Sequence, residues 1–104
     1  MAIERLTLLT GDGDAGFVWA ACGWSAARDH RLVFTAFTIG DHGSVPDSDV
    51  PWHVACEVGP EGAVLVRPDG LIAWRAPALP DNPLGAITEA MDKILAGRVL
   101  RTAS

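Results

Sequence analysis

The sequence predicts an α/β fold built on a four-stranded mixed sheet with flanking helices. Two observations lead to this prediction. Apolar runs of strand length alternate with segments of helical spacing, and the order of these elements is β-α-β followed by β-β-α. The chain has 104 residues, which is enough for one domain, residues 1–104, whose core needs neither a metal nor a disulfide.

The first strand and helix are predicted from residues 6–28. Residues 6–10, LTLLT, are mostly apolar and contain two β-branched threonines, which indicates a buried strand. Residues 11–14, GDGD, follow as a turn, and Asp14 is expected to cap a helix over residues 15–28. The expected buried face of this helix consists of Phe17, Ala21 and Trp24, widened by Val18 and Ala20.

The second strand is predicted over residues 32–39, LVFTAFTI. This run is apolar on both faces, which is typical of a strand that is covered on both sides. A strand, a helix and a strand in this order imply a parallel pair with a right-handed crossover. Residues 40–51 form a loop rich in Gly, Pro and Asp, and residues 52–58 fit either a short helix or an extended segment.

A β-hairpin is predicted over residues 62–75, GAVLVRPDGLIAWR. Its apolar flanks, residues 63–67 and 71–75, are rich in Val, Leu, Ile and Trp. Between them, Pro68 presets the φ angle of the second turn position, and Asp69 and Gly70 suit the two positions that follow.

The last helix is predicted to begin at Asn82 and Pro83, since a capping side chain is followed by proline at the first helical position. An apolar stripe at helical spacing comprises Leu84, Ile87, Met91, Ile94 and Leu95. Gly97 is expected to end this helix and to leave residues 98–104 as a frayed tail. The complete element order is that of the thioredoxin-like fold.

Charge and hydropathy exclude several classes of partner. The net charge is −5, and no basic stripe is present to neutralise phosphates, so we expect no nucleic-acid partner. Residues 15–27 form the longest uncharged apolar stretch, which is too short to span a bilayer. Glu4 lies where a signal peptide requires a basic start, so we expect a cytoplasmic protein without a membrane partner.

Three glycines spell G-x-G-x-x-G between the first strand and the first helix: Gly11, Gly13 and Gly16. This is the position of a dinucleotide-binding fingerprint. However, Asp12 and Asp14 would place two carboxylates beside the pyrophosphate, at a helix end that favours anions. We therefore interpret the segment as a capped turn and predict no cofactor-binding residue in this chain.

The cysteines and histidines do not form a recognisable reactive or metal site. Redox chemistry in a thioredoxin-like fold needs a thiolate at the start of the first helix, usually within C-x-x-C. Cys22 lies more than one turn into that helix, and Cys56 is distant in sequence. The histidines are scattered, at His30, His42 and His53. We predict no catalytic and no metal-binding residue.

Four side chains are candidates for contacts with a partner. Arg67 and Arg75 flank the hairpin turn and the strand after it, and either guanidinium can bind a carboxylate within the domain or across an interface. Trp52 and Trp74 are the aromatic candidates. The competing interpretations are a local ion pair for the arginines and a core position for the tryptophans, whereas an exposed tryptophan would be a candidate hot spot.

The hairpin also resembles a known family. The string LVRPDG-x-x-AWR, here within residues 62–75, recurs near the C-terminus of FAD-dependent aromatic-ring hydroxylases of the phenol and polyketide hydroxylase type. Weaker similarities are LTLLTG at residues 6–11, Trp19 early in the first helix, and Ile39-Gly40 after the second strand. The resemblance covers about residues 5–96.

The resemblance implies that the chain is the C-terminal domain of a larger flavin monooxygenase and is itself non-catalytic. The parent enzyme would use FAD and NAD(P)H to hydroxylate a phenolic or polyketide ring, and this domain would serve its structure or assembly. The implied partners are the FAD- and substrate-binding domains, and a second copy in a homodimer. Two alternatives remain: a free-standing thioredoxin-like protein with one reactive thiol, Cys22 or Cys56, and a small binding module.

Overall fold

The computed structural model describes residues 5–46 and 49–103, and the helices and strands follow one another in the predicted order. The elements are β1 Arg5–Gly11, α1 Asp14–His30, β2 Val33–Ile39, α2 Trp52–Ala55, β3 Ala63–Val66, β4 Ile72–Ala76 and α3 Pro83–Ala103. The segment with two possible interpretations, residues 52–58, therefore begins with a short helix.

The four strands form one mixed sheet with the spatial order β2-β1-β3-β4. β1 pairs in parallel with β2, where Leu6 lies beside Phe34, and antiparallel with β3, where Leu8 lies beside Leu65. β3 and β4 form the predicted antiparallel hairpin. The predicted α/β class with a four-stranded mixed sheet is confirmed, and β2 and β4 are the two edges of the sheet.

The hydrophobic core lies between one face of this sheet and the two long helices. Successive strand residues point to opposite faces, and Leu6 and Leu8 of β1 point to the covered face together with Leu65 of β3. α1 and α3 pack against each other over this face. The buried cluster comprises Leu6, Leu8, Trp19, Ala26, Ala27, Phe34, Ala63, Leu65, Ala76, Ile87, Ala90 and Met91.

α1 presents a different face to the sheet from the one predicted. Phe17 and Trp24 are 60% and 51% exposed, and Ala21 is exposed as well. The buried residues are Ala15, Gly16, Trp19, Gly23, Ala26 and Ala27. The prediction was wrong because it assigned the larger apolar side chains to the core, whereas this helix approaches the sheet through small residues.

Two glycines permit the close approach of α1. A Cβ at Gly16 would lie 1.7 Å from the carbonyl oxygen of Gly11, and a Cβ at Gly23 would lie 2.6 Å from the ring of Phe34. Trp19 is three residues after Gly16 and four before Gly23, so it shares their face. It is fully buried, and its Nε1–H donates to the carbonyl oxygen of Glu61 at 3.0 Å.

The expectation that β2 is covered on both faces is wrong. Phe34 is buried beneath α1, but Val33, Thr35 and Phe37 point to the other face and are exposed. Both long helices lie on the Phe34 side, so no long helix of the described residues covers this part of the opposite face. The apolar composition of β2 predicted burial on both faces of the strand. Because α1 and α3 pack together on one face, the side chains on the other face stay partly exposed.

The cap at Asn82 and the turn of the hairpin are confirmed. Oδ1 of Asn82 accepts a hydrogen bond from the backbone N–H of Gly85 at 3.1 Å, in the first turn of α3. In the hairpin, the N–H of Gly70 donates to the carbonyl oxygen of Arg67 at 3.0 Å. Gly70 has a φ angle of 88°, which suits glycine at the end of the turn.

The predicted end of α3 at Gly97 is wrong, because the helix continues to Ala103. A glycine inside a helix costs only about 1 kcal/mol, and the residues that follow Gly97 contain no proline to stop propagation. The predicted frayed tail is therefore helical up to Ala103, and Ser104 lies outside the described residues.

Among the helices that are described, none is both long and apolar enough to cross a membrane.

His30 joins the C-terminal end of α1 to α3. Its Nε2 lies 2.5 Å from Oδ1 of Asp92, and its Nδ1 lies 2.7 Å from the carbonyl oxygen of Ala26. Both partners are acceptors, so they favour an imidazole that is protonated on both nitrogens. The hydrogen bond to Asp92, and next the one to Ala26, raise the pKa of His30.

We predict that this contact makes stability depend on pH. A histidine pKa that is raised in the folded state stabilises the fold fully below the unfolded value of about 6.5, and the contribution is lost as the pH rises through the folded value. Urea unfolding of the wild type should show this decline above neutrality, and Asp92→Asn should reduce it. The control is Glu89→Gln on the same helix. Equal slopes for D92N and the wild type would contradict the prediction.

We also predict that Gly16→Ala lowers the free energy of unfolding by about 2 kcal/mol or more, because the new methyl group overlaps the Gly11 backbone. The matched control is Gly13→Ala, where no atom lies within 4 Å of the added Cβ, and the expected loss is below about 1 kcal/mol. Both values come from urea titrations. Similar stabilities of the two variants would show that the helix can move away from the sheet without cost.

Candidate functional site

A cleft of about 480 Å³ opens at the carboxyl ends of β1 and β2. The turns after these strands, α2 and the segment before β3 form its walls. Its polar and aromatic lining consists of Asp12, Asp41, His42, Trp52, His53 and Glu61. Ligand sites of α/β proteins commonly form beyond the carboxyl ends of the strands, which makes this cleft the candidate site to assess.

Asp12 holds two walls of the cleft together. Its Oδ2 accepts a hydrogen bond from the backbone N–H of His42 at 2.9 Å. The same carboxylate lies against Gly40, which has a φ angle of 147° and where an added Cβ would lie 2.4 Å from the carboxylate. Asp12 therefore joins the turn after β1 to the turn after β2, and this role is structural.

The glycine motif at the start of α1 serves packing. Gly16 lies against the carbonyl oxygen of Gly11, and a Cβ at Gly11 would lie 3.0 Å from the carbonyl oxygen of Pro60. Gly13 is the N-cap residue of α1, and no side chain caps this end. The predicted cap by Asp14 is wrong, because Asp14 is the first helical residue and interacts with the helix dipole only through its charge.

The electrostatics of the cleft oppose a phosphate-containing ligand. The N-terminus of a helix attracts anions, but Asp12 and Asp14 flank this one, and Asp41 and Glu61 line the same cleft. Three carboxylates around the opening, and a fourth at the start of the helix, would repel a pyrophosphate. The residues present therefore do not fit the phosphates of a dinucleotide such as FAD.

Cys22 and Cys56 are both half-buried free thiols. Burial raises the pKa of the Cys22 thiol, which lowers the thiolate fraction near neutral pH. Neither cysteine lies at the start of α1, where a thioredoxin-type thiolate would be stabilised. Within residues 5–46 and 49–103, no group of three or more His, Cys, Asp and Glu side chains is placed to hold a metal ion.

Both candidate arginines have acidic neighbours within the domain. The guanidinium of Arg67 lies 2.5 Å from Asp69, whose other carboxylate oxygen accepts the N–H of Leu71 at 3.1 Å. Arg67 therefore stabilises the hairpin turn locally. Arg75 lies 3.7 Å from Glu57, and both side chains are largely exposed. Of the two arginines, Arg75 has the looser contact and is more available to a partner.

The candidate tryptophans occupy the core and its border. Trp52 is only 8% exposed and lies beneath Gly11 at the base of the cleft. Trp74 is half-buried, and its ring meets that of Trp19 edge to face with centroids 5.7 Å apart. For both tryptophans, these positions favour a role in the core over a contact with a partner.

The two most exposed aromatic side chains, Phe17 and Trp24, are on α1, where sequence reasoning expected core positions. Trp24 is about half exposed and meets the buried Phe34 edge to face at 5.0 Å, so it covers one side of β2. Phe17 lies two turns earlier on the same side of the helix and is more exposed still. The sequence signal that could have identified the sheet-facing side of α1 was the seven-residue spacing of Gly16 and Gly23. That side, once identified, places Phe17 and Trp24 on the outward side.

Comparison with known families gives one match over nearly the whole chain. The family model described as "Aromatic-ring hydroxylase, C-terminal" matches residues 1–97. This match covers all four strands and most of α3, so the resemblance noted on the hairpin extends over the complete sheet. The resemblance to this family is confirmed.

Curated relatives are monooxygenases that are several times longer. The chain is 36% identical to 4-methyl-5-nitrocatechol 5-monooxygenase of Burkholderia sp, over 80% of the chain and 15% of that protein. It is 32% identical to tetracenomycin A2 monooxygenase-dioxygenase of Streptomyces glaucescens, over 89% of the chain and 18% of that protein. The chain thus spans less than a fifth of the length of these relatives.

Two solved structures contain a similar unit. One is aklavinone-11 hydroxylase in a ternary complex with FAD and aklavinone, with a TM-score of 0.72 and 27% identity over 88% of this chain and 16% of that one. The other is the flavin-dependent monooxygenase PieE with FAD and substrate, with a TM-score of 0.58 and 33% identity over 85% and 15%. The remaining length of each of these two proteins has no counterpart in this chain.

We predict that Cys22 reacts slowly with a thiol reagent. The Cys56→Ser variant isolates it, and its labelling at neutral pH should be at least about tenfold slower in the folded chain than in urea, because burial lowers both access and the thiolate fraction. The Cys22→Ser variant isolates Cys56 in the same way, so the labelling rates of the two thiols can be compared. Labelling of native Cys22 as fast as in the unfolded chain would favour the reactive-thiol alternative.

Proposed function

This chain belongs to the C-terminal domain family of the aromatic-ring hydroxylases, and on that basis we propose that it is a non-catalytic structural and assembly domain of an FAD- and NAD(P)H-dependent aromatic monooxygenase. The observation that carries the proposal is the family match over residues 1–97, combined with relatives in which the matching part is less than a fifth of the length. The chain would form one thioredoxin-like domain, residues 1–104, of that enzyme.

The chemistry of the cleft supports a role without catalysis. The carboxylates of Asp12 and Asp14 at the start of α1 do not fit a pyrophosphate, so we assign FAD to the larger part of the parent enzyme. Asp12 is engaged with the backbone of His42, and Trp52 is buried at the base of the cleft. The residues that line this cleft thus stabilise the turns around it.

The surface of the domain supports a role in assembly. Its proposed partners are the FAD- and substrate-binding domains of the parent and a second copy of the chain, in a cytoplasmic enzyme. Exposed aromatic side chains are enriched where proteins meet, and Phe17 and Trp24 provide two of them on one helix. Arg75 remains a candidate for an ion pair across such an interface.

The proposal is tested on the native gene product. An antibody against this domain should purify a protein several times heavier than 11.0 kDa that contains bound FAD, as shown by its flavin absorbance. The isolated chain should show no saturable change in tryptophan fluorescence when FAD is added. A native product of 11.0 kDa without flavin would contradict the proposal and direct attention to the thiol and small-ligand alternatives.

A further inference from the structure

We propose that His30 is a pH switch for the C-terminal part of α3, residues 92–103. A charged His30 holds this part of the helix against the end of α1, and a neutral His30 releases it. The sheet and the first part of α3 stay folded in both states. The switch therefore adds a local conformational step to the global pH dependence of stability, and it does not depend on the assignment of the chain to a flavin enzyme.

The geometry of His30 allows both of its hydrogen bonds only when the ring is charged. It is the last residue of α1, and its Nε2 lies 2.5 Å from Oδ1 of Asp92 while its Nδ1 lies 2.7 Å from the carbonyl oxygen of Ala26. A charged imidazole donates from both nitrogens, whereas a neutral one has a single N–H. Its other nitrogen would then present a lone pair to an oxygen. One of the two contacts must therefore break when the proton leaves.

The contact that breaks is the one to Asp92. The carbonyl group of Ala26 belongs to the backbone of α1, four residues before His30, and cannot turn away from the ring. The side chain of Asp92 is 64% exposed, so water can replace the imidazole around its carboxylate. The side chain of His30 is only 13% exposed and stays enclosed. Loss of the proton thus releases α3 and leaves α1 unchanged.

The part of α3 from Asp92 onward has few other contacts that would hold it. The buried side chains of this helix all precede Asp92: Ile87, Ala90 and Met91. Of the side chains that are described after it, Ile94 and Leu95 are half-buried. Gly97 lowers the stability of the helix further, by about 1 kcal/mol. Segments with few buried apolar contacts open locally at low free energy, so one contact is enough to change how often this part opens.

The charges around His30 favour its charged form. Asp92 on α3 and Asp29 on α1 are the acids that act on the ring, and the C-terminal end of α1 adds the negative end of the helix dipole. The sequence of β2, which packs against α1, contains no charged residue. The other charged side chains on the neighbouring turns are exposed: Arg28, Arg31, Glu89 and Lys93.

These surroundings determine the pH range of the switch. The hydrogen bond to Asp92 is the main cause that raises the pKa of His30 above its ordinary value of about 6.5. Below that value the ring is charged and α3 is held along its whole length. As the pH rises through the raised pKa, the contact is lost and the end of α3 is released.

The first test is native-state hydrogen exchange of the full 104-residue chain, measured by mass spectrometry at about pH 6 and about pH 8 and corrected for the intrinsic rate at each pH. Residues 92–97 should be at least about tenfold less protected than β1, because they exchange through a local opening. Their protection should fall at least about threefold between the two pH values, since one exposed charged contact is lost. Urea below the unfolding transition should speed exchange in β1 and leave residues 92–97 unchanged, because a local opening exposes little surface.

Two variants of α3 identify the contact. Asp92→Asn removes the charge on which the switch depends, so residues 92–97 should lose most of their change in protection between the two pH values. The matched control is Glu89→Gln, which removes a carboxylate on the same helix that pairs with Lys93 and not with His30. It should keep the wild-type pH dependence. Asp92 and Glu89 are both exposed, so we expect both variants to fold, and circular dichroism checks this.

The second test identifies which hydrogen bond survives, and it needs no variant. The ¹⁵N chemical shifts of the His30 ring distinguish its protonation states. Above the titration the ring should be the neutral tautomer with the proton on Nδ1, because Nδ1–H keeps its bond to the carbonyl oxygen of Ala26. The midpoint of the ring titration should coincide with the midpoint of the change at residues 92–97.

Three results would each overturn the proposal. The first is protection at residues 92–97 that stays constant between the two pH values or follows β1 at every urea concentration. The second is an unchanged pH dependence in Asp92→Asn. The third is a neutral His30 with its proton on Nε2, because the ring would then have kept Asp92 and released Ala26.

Discussion

The close approach of α1 to the sheet is the constraint on which the rest of this structure depends. Gly16 lies against the backbone of Gly11, and Gly23 lies against the ring of Phe34, so neither position has room for a side chain. Trp19 fills the space between the helix, the sheet and the segment before β3, and its indole N–H is satisfied by the carbonyl of Glu61. Burying so large a ring with its donor satisfied ties three parts of the chain together.

This constraint determines which side chains remain on the surface. With small residues and Trp19 facing inward, the helix turns Phe17 and Trp24 outward, beside the edge strand β2. α3 then packs beside α1, on the same face of the sheet. The long helices are therefore together on one side, and Val33, Thr35 and Phe37 of β2 are exposed on the other. The exposed apolar surface beside β2 thus follows from how the core is packed.

The cleft at the carboxyl ends of β1 and β2 shows that a fold does not determine a function. Its place in the sheet is one where many α/β proteins bind ligands or catalyse reactions. Here Asp12 secures a neighbouring turn, the glycines are used for packing, and carboxylates surround the helix N-terminus. This chemistry agrees with the proposal that the domain supports an enzyme whose reaction takes place elsewhere.

The sequence alone determined the order of the elements, the hairpin turn at residues 67–70, the cap at Asn82 and the family, because these depend on local chemistry or on a continuous string of residues. Tertiary structure decided which face of α1 is buried, since Gly16 and Gly23 gain their importance only from atoms distant in sequence. It also decided that α3 continues past Gly97, that Trp52 is buried and that Trp24 is exposed. Apolar composition shows that a side chain can be buried, but only the packing of the other elements shows whether a neighbour is there to bury it.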